Sequence, residues 1–248
     1  MNLEIALNKV HHMRFEEGCK YLADNSIDLL LTDPPYGTDL TVQRVGSKFK
    51  GEKVNNDNSL DWLPTLVEES YRVCKNVVVV FCNWQNYDVF KNEFEKKFIV
   101  KNLIVWDKDW FGIGNNFRPN HEFIMLCCKT NVKTKSNNLS NIIKCRRMAP
   151  QKMLHSCEKP VALLELLIKE LTDEGHLVAD FFTGSGSTLH ACVNTNRKFI
   201  GFELDEKYCN ITTNRINALK QQANKTSVLP TKEAKAATTS CHVTLATK

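Results

Sequence analysis

The stretch Thr32-Asp33-Pro34-Pro35-Tyr36-Gly37 follows the apolar run Ile27-Asp28-Leu29-Leu30-Leu31. A leucine-rich run that stops at Asp-Pro-Pro reads as a buried strand ending in a rigid loop, because proline fixes φ and cannot continue a ladder. Asp33 is therefore expected at the carboxyl end of a strand, where open α/β sheets place their ligands.

Two consecutive prolines hold the backbone extended and leave their carbonyls without a local amide hydrogen to compete. A carboxylate, a fixed carbonyl and an aromatic face within four residues suit the grip of a planar amine. The exocyclic amino group of adenine offers one hydrogen to Asp33 and one to the Pro34 carbonyl, and Tyr36 can stack on the ring. An ordinary strand turn, with Asp33 capping a helix and Tyr36 in the core, would carry the same residues.

Outward from this stretch, a second apolar run, Leu177-Val178-Ala179-Asp180, leads into Phe181-Phe182-Thr183-Gly184-Ser185-Gly186-Ser187-Thr188 and a helix-like segment over residues 187–194. Gly184 and Gly186 permit a tight turn and close approach of the backbone to a ligand, and the helix after them offers free amide hydrogens. The next strand, Lys198-Phe199-Ile200-Gly201-Phe202-Glu203-Leu204, ends in an acid. A glycine loop after one strand and an acid ending the next, about twenty residues on, is the nucleoside-binding layout, with the acid on the ribose hydroxyls.

Asp33-Pro34-Pro35-Tyr36, Phe182-Thr183-Gly184-Ser185-Gly186 and Glu158-Lys159-Pro160-Val161-Ala162-Leu163-Leu164-Glu165 together resemble the S-adenosylmethionine-dependent DNA amino-methyltransferases, the N6-adenine and N4-cytosine enzymes. The tetrapeptide precedes the glycine loop, an order similar to the β group of that family, and the resemblance spans about residues 13–217. Two segments differ from the family pattern. His155-Ser156-Cys157-Glu158 stands where relatives carry a His-Pro-Thr-Gln type run, and Glu16-Glu17-Gly18-Cys19 where many carry Gly-Asp.

The resemblance implies a Rossmann-like α/β methyltransferase fold: a mostly parallel central sheet with an antiparallel strand, and helices on both faces. It implies S-adenosyl-L-methionine as cofactor, with Gly184, Ser185 and Gly186 around the methionine portion, Phe182 on the adenine or sulfonium side and Glu203 on the ribose. Asp180, Ser187 and Thr188 belong to the same site, and Lys159 and Pro160 close it. It implies Asp33, Pro34, Pro35 and Tyr36 as the catalytic group. The substrate would be N6 of an adenine flipped out of double-stranded DNA, as in restriction-modification systems. N4 of cytosine or adenine in RNA are the alternatives within the class. A catalytically inactive nucleic-acid-binding protein on the same fold is the alternative outside it. A homodimer is expected by family analogy.

The chain has 248 residues, 42% of them apolar, enough for one α/β domain, expected over residues 1–222 with a disordered tail over 223–248. No apolar run approaches the ~20 residues of a membrane helix, and the amino terminus lacks the basic and apolar regions of a signal peptide, so the protein is expected inside a cell and off membranes. Ten cysteines are scattered without a Cys-x-x-Cys pair, which reads as buried thiols in a reducing compartment and no metal site.

Residues 38–59 are polar, carry Arg44, Lys48 and Lys50, and leave directly from the tetrapeptide, so they read as a mobile lid that orders on nucleic acid, with a plain disordered insertion as the alternative. Helical spacing comes next over residues 60–74, then the strand Val77-Val78-Val79-Val80-Phe81-Cys82, with further strands over 98–106 and 122–128. About residues 107–156 are expected to form an inserted target-recognition region, where Trp110, Phe111, Phe117 and Arg118 suit stacking and phosphate contact or, equally, a packed aromatic turn. Residues 129–152 hold seven cations, among them Lys144, Arg146 and Arg147, and no acid, in a chain whose net charge is +5. Beside an adenine-type site such a run is expected to contact phosphates.

Overall fold

Strands β2 (Ile27–Thr32) and β3 (Cys74–Cys82) are almost continuously apolar because the sheet is covered on both faces. Successive side chains point to opposite faces. Leu30, Val78, Val80 and Cys82 enter one core, while Leu29, Leu31, Val77, Val79 and Phe81 enter the other. The computed structural model describes residues 5–41, 49–55, 57–111, 116–136, 138–228 and 243–244.

The first core is closed by α1 (Phe15–Gly18), α2 (Leu63–Val73) and α3 (Tyr87–Phe94) through Phe15, Leu63, Leu66, Phe90 and Phe94. The second is closed by α4 (Val161–Leu171), α5 (Ser187–Asn194) and α6 (Glu206–Val228) through Leu163, Leu164, Leu189 and Ile216. The remaining strands are β1 (Lys9–His12), β4 (Ile99–Asp107), β5 (His121–Cys128), β6 (Ile142–Cys145), β7 (Leu177–Asp180), β8 (Lys198–Glu203) and β9 (Val243–Thr244).

The sheet order is β1-β8-β7-β2-β3-β5-β4-β6-β9. Its body is parallel, with β5 running against both β3 and β4 and the short β9 against β6. The ends of β2, β7, β8, β3 and β4 therefore share one edge, and the reversed β5 brings its first residues to that edge. Chain connections leave β2 toward β3 and β7 toward β8, in opposite directions, so β2 and β7 flank the switch point at which such sheets bind ligands.

This is the expected Rossmann-like sheet. The outlying strands β1 and β6 have four residues each, too few for a periodic signal. The last helix runs to Val228, beyond the start of the segment expected to be disordered, and Val243–Thr244 pairs with β6. The strand expected over 122–128 is β5, which lies near the middle of the sheet although it falls within the expected 107–156 insertion.

Candidate active site

Asp33 is the first residue beyond β2, so the proline pair turns the chain away just after its carboxylate reaches the edge. Tyr36 Oη donates to Asp33 Oδ1 at 2.6 Å and lies 3.3 Å from Glu122 Oε2. Lys159 Nζ donates to Asp33 Oδ2 and sits 3.2 Å from Glu122 Oε2, while Lys108 Nζ meets Glu122 Oε1 at 2.5 Å. Two carboxylates and two ammoniums thus form one part-buried, charge-balanced cluster.

Opposite unit charges about 4 Å apart attract by roughly 4 kcal/mol at an effective dielectric of ~20, so pairing can outweigh burial here. Burial opposes the Lys159 charge, yet Asp33 and Glu122 together raise its pKa above the ordinary lysine value. Burial also pushes Glu122 up, but Lys159 and Lys108 overcome it and hold the carboxyl at about 2. For Asp33 burial wins: its pKa is raised against the pull of Lys159, with the Glu122 charge adding to the rise.

The other end of the site is built by the loop between β7 and α5. Gly184 and Gly186 both have positive φ, 53° and 81°. A Cβ on Gly186 would lie 2.6 Å from Thr212 Cγ2, so the turn needs glycine there on two counts. Glu203, last residue of β8, accepts from the Gly184 N–H at 2.6 Å and the Asp205 N–H at 2.8 Å. Burial raises its pKa to about 7. Asp180 accepts from Thr32 Oγ1 at 2.8 Å and the Phe182 N–H at 3.1 Å, and burial raises it to about 6 despite those bonds and one from Thr188. Phe182 packs on Phe15 and Trp62, ring centroids 5.2 and 5.3 Å away.

The two ends open into one cavity of about 590 Å³. Asp33, Pro34, Pro35, Tyr36, Lys159, Phe182, Gly184 and Glu203, all selected from the sequence, line it. Asp180, Ser185, Ser187 and Thr188 line a small adjoining recess under the glycine loop. Pro160 is buried just before α4, and Gly186 just before α5. Lys159, expected at the cofactor, has its ammonium at the Asp33 end.

Sequence reasoning missed Glu122 and Lys108, whose only signal is their place at strand ends facing the edge. It also missed Arg215, which donates to Glu158 Oε1 at 2.7 Å and to the Ser185 carbonyl at 3.0 Å. Arg215 thereby fastens the segment before Pro160 to the glycine loop. In that segment burial lowers His155 to about 4 and raises the Cys157 thiol to about 11. Among the described residues no group of three or more His, Cys, Asp or Glu is placed to hold a metal, and no helix is long and apolar enough to cross a membrane.

The basic segment does not form one surface. Because β5 is reversed, Lys129 emerges at the far edge of the sheet, where its ammonium bonds Asn25 Oδ1 at 2.8 Å and sits over the Tyr71 ring. Lys135 pairs with Asp173 at 2.7 Å, beyond the far end of α4. Only β6 and the residues just after it return to the site edge: Lys144 pairs with Asp109 at 2.8 Å, and Arg146 and Arg147 lie 5.2 and 5.7 Å from the centre of the Trp110 ring. Arg118 is exposed over Phe111, and Phe117 is fully exposed.

Arg44 and Lys48 lie outside the described residues, and Lys50 is exposed. The described ends of the expected lid are tied down. Buried Asp57 accepts from the Gly37 and Leu40 N–H groups and from Thr38 Oγ1, at 2.7–2.9 Å. Glu52 accepts from Lys207 Nζ and Tyr208 Oη at the start of α6.

Residues 27–214 match the N6/N4 methyltransferase family model, described as DNA methylase. The chain is 30% identical over 201 residues to the YubD protein of Escherichia coli (strain K12), covering 79% of this chain and 85% of that one. It is 25% identical over 238 residues to the DNA adenine methyltransferase YhdJ of the same strain, covering 80% and 79%. The crystal structure of the M1.HpyAVI–SAM complex superposes with a TM-score of 0.61 at 24% identity, over 84% of this chain and 98% of that one, a likeness of fold. The extent of the family match, joined to a sheet that brings the tetrapeptide and the glycine loop into one cavity, makes this chain a member of the DNA methylase family.

Proposed function

We propose that the protein transfers a methyl group from S-adenosylmethionine to the exocyclic N6 of an adenine flipped out of duplex DNA. The observation that carries this is the part-buried Asp33 carboxylate in the same cavity as the glycine loop and Glu203. The adenine assignment draws on Asp33 at the head of the tetrapeptide and on the relative whose name states that base.

The glycine-loop end fits the cofactor. Positive φ at Gly184 and Gly186 keeps side chains out of the turn, and Glu203 retains lone pairs beyond its two backbone bonds with which to accept ribose hydroxyls. Bound there, S-adenosylmethionine supplies an electrophilic methyl group on a sulfonium. Phe182, held between Phe15 and Trp62, lines the cavity at this end.

An aromatic amine is a poor nucleophile because its lone pair is shared with the ring. Asp33 and the Pro34 carbonyl, each accepting one amine hydrogen, pull the nitrogen toward a tetrahedral shape and localise that pair. The Asp33 charge then favours the positive charge that develops on nitrogen. Tyr36 replaces the stacking that the flipped base has lost. Arg146 and Arg147, beside Trp110, supply phosphate contact on the rim.

Incorporation of tritiated methyl into duplex oligonucleotides tests the reaction. Label in adenine, lost in Asp33→Ala with cofactor binding retained, is expected. Label in Asp33→Ala equal to native would refute the role of Asp33, and DNA binding without label in the native protein would leave a binding protein.

A further inference from the structure

Glu122 lies outside all three motifs and touches both partners of Asp33. Its Oε2 is 3.2 Å from Lys159 Nζ and 3.3 Å from Tyr36 Oη, and its Oε1 takes Lys108 Nζ at 2.5 Å. The pairing of Cys82 with Phe123 in the antiparallel β3–β5 register carries it to the edge where Asp33 stands.

Both oxygens of Asp33 are engaged, Oδ1 by Tyr36 and Oδ2 by Lys159. Each oxygen keeps a second lone pair, but a neutral amine that bonds Oδ2 must share that oxygen with the Lys159 ammonium, whose charge weakens it as an acceptor. A buried ammonium that left Oδ2 with no other acceptor would lose its compensating charge at the moment of binding. Glu122 is already beside it, so the ammonium can change partner without being exposed. We propose that Glu122 is a positioning residue for methyl transfer, receiving the Lys159 ammonium from Asp33 as the substrate amine arrives and so freeing Oδ2 to accept.

No proton changes hands and no covalent bond forms; the ammonium exchanges one carboxylate for another. Lys108 stays on Oε1 and keeps the receiving carboxylate aimed. Lys159 and Lys108 also keep Glu122 ionised at lower pH than Asp33, so the receiver carries its charge throughout the range in which Asp33 does.

A double-variant cycle tests this, with the methyl-transfer rate at saturating substrate and the cofactor Kd read on every protein. Glu122→Gln keeps the shape and loses the charge. It is expected to lower kcat about 100-fold and to leave cofactor Kd within about threefold. In a Lys159→Met background the same change is expected to cost less than about threefold, since no ammonium remains to be received. Equal losses in the two backgrounds would overturn the proposal. So would a Glu122→Gln protein that no longer binds cofactor, which would put Glu122 in the fold. Glu122→Asp, which restores the charge, is expected to recover about tenfold of the lost rate; no recovery counts against the role. Because the role rests on Asp33 taking the amine, Asp33→Ala is measured alongside. Transfer that survives Asp33→Ala removes the Asp33 assignment, whereas inactive Asp33→Ala beside fully active Glu122→Gln removes the role of Glu122 alone.

Discussion

The two ends of the cavity hold their carboxylates by opposite means. Asp33 and Glu122 share the ammoniums of Lys159 and Lys108, so four formal charges cancel inside the protein. Asp180 and Glu203 are held by backbone N–H groups and hydroxyls, and burial leaves them titrating at about 6 and about 7. Under the proposed function, the difference matches what each end would recognise. A nitrogen that turns positive during transfer needs a carboxylate whose charge is available on demand, whereas sugar hydroxyls need acceptors with fixed directions. Charge pairing is therefore expected to govern the transfer step, and backbone geometry to govern cofactor binding.

Lys159→Met separates the ends most sharply. It is expected to lower kcat about 100-fold while cofactor Kd, read by calorimetry, changes by less than about threefold. If Kd suffers and kcat does not, Lys159 belongs to the cofactor end and the comparison fails.

Glu203→Gln should do the reverse, weakening cofactor Kd about tenfold with little change in kcat at saturation. The sign of its pH dependence is set by burial. With its carboxyl at about 7, Glu203 gains a proton as pH falls through neutrality and loses acceptor capacity. Native cofactor affinity should then weaken from pH 8 to pH 6, on the order of a few-fold, and Glu203→Gln should flatten that slope. A native affinity unchanged across this range would mean that the carboxylate does not meet the ligand.

The smallest effects are expected on the surface, where the two halves of the basic segment diverge. Arg146→Ala with Arg147→Ala should weaken duplex binding and reduce the salt slope by about 2, one for each phosphate contact. Lys129→Ala with Lys135→Ala, at the far edge, should leave both quantities unchanged within error. Equal effects from the two pairs would restore a single basic surface.

The layout at the site edge was legible because the chemistry repeats a simple pattern: a buried strand, an abrupt stop, a polar residue. Asp33, Asp180 and Glu203 each end such a run, and Gly184 and Gly186 sit where φ is positive. The charge cluster was not legible, since Glu122 is the second residue of a strand and reaches the edge only because β5 runs backwards. The same reversal splits residues 129–152 between two edges, since charge counted along a row says nothing of which edge each residue occupies. Arg215 gave no signal because its partners, Glu158 and Ser185, lie 57 and 30 residues away in the chain. The short strands β1 and β6 were lost for a different reason, their length.

Direct sequencing of DNA from cells expressing the native chain or Asp33→Ala, with modified bases read in place, tests the central claim most directly. N6-methyladenine confined to one short sequence in the native sample and absent from the Asp33→Ala sample is the predicted result. Modification that persists in Asp33→Ala, or that falls on N4 of cytosine, would contradict the account of Asp33 gripping an adenine amine.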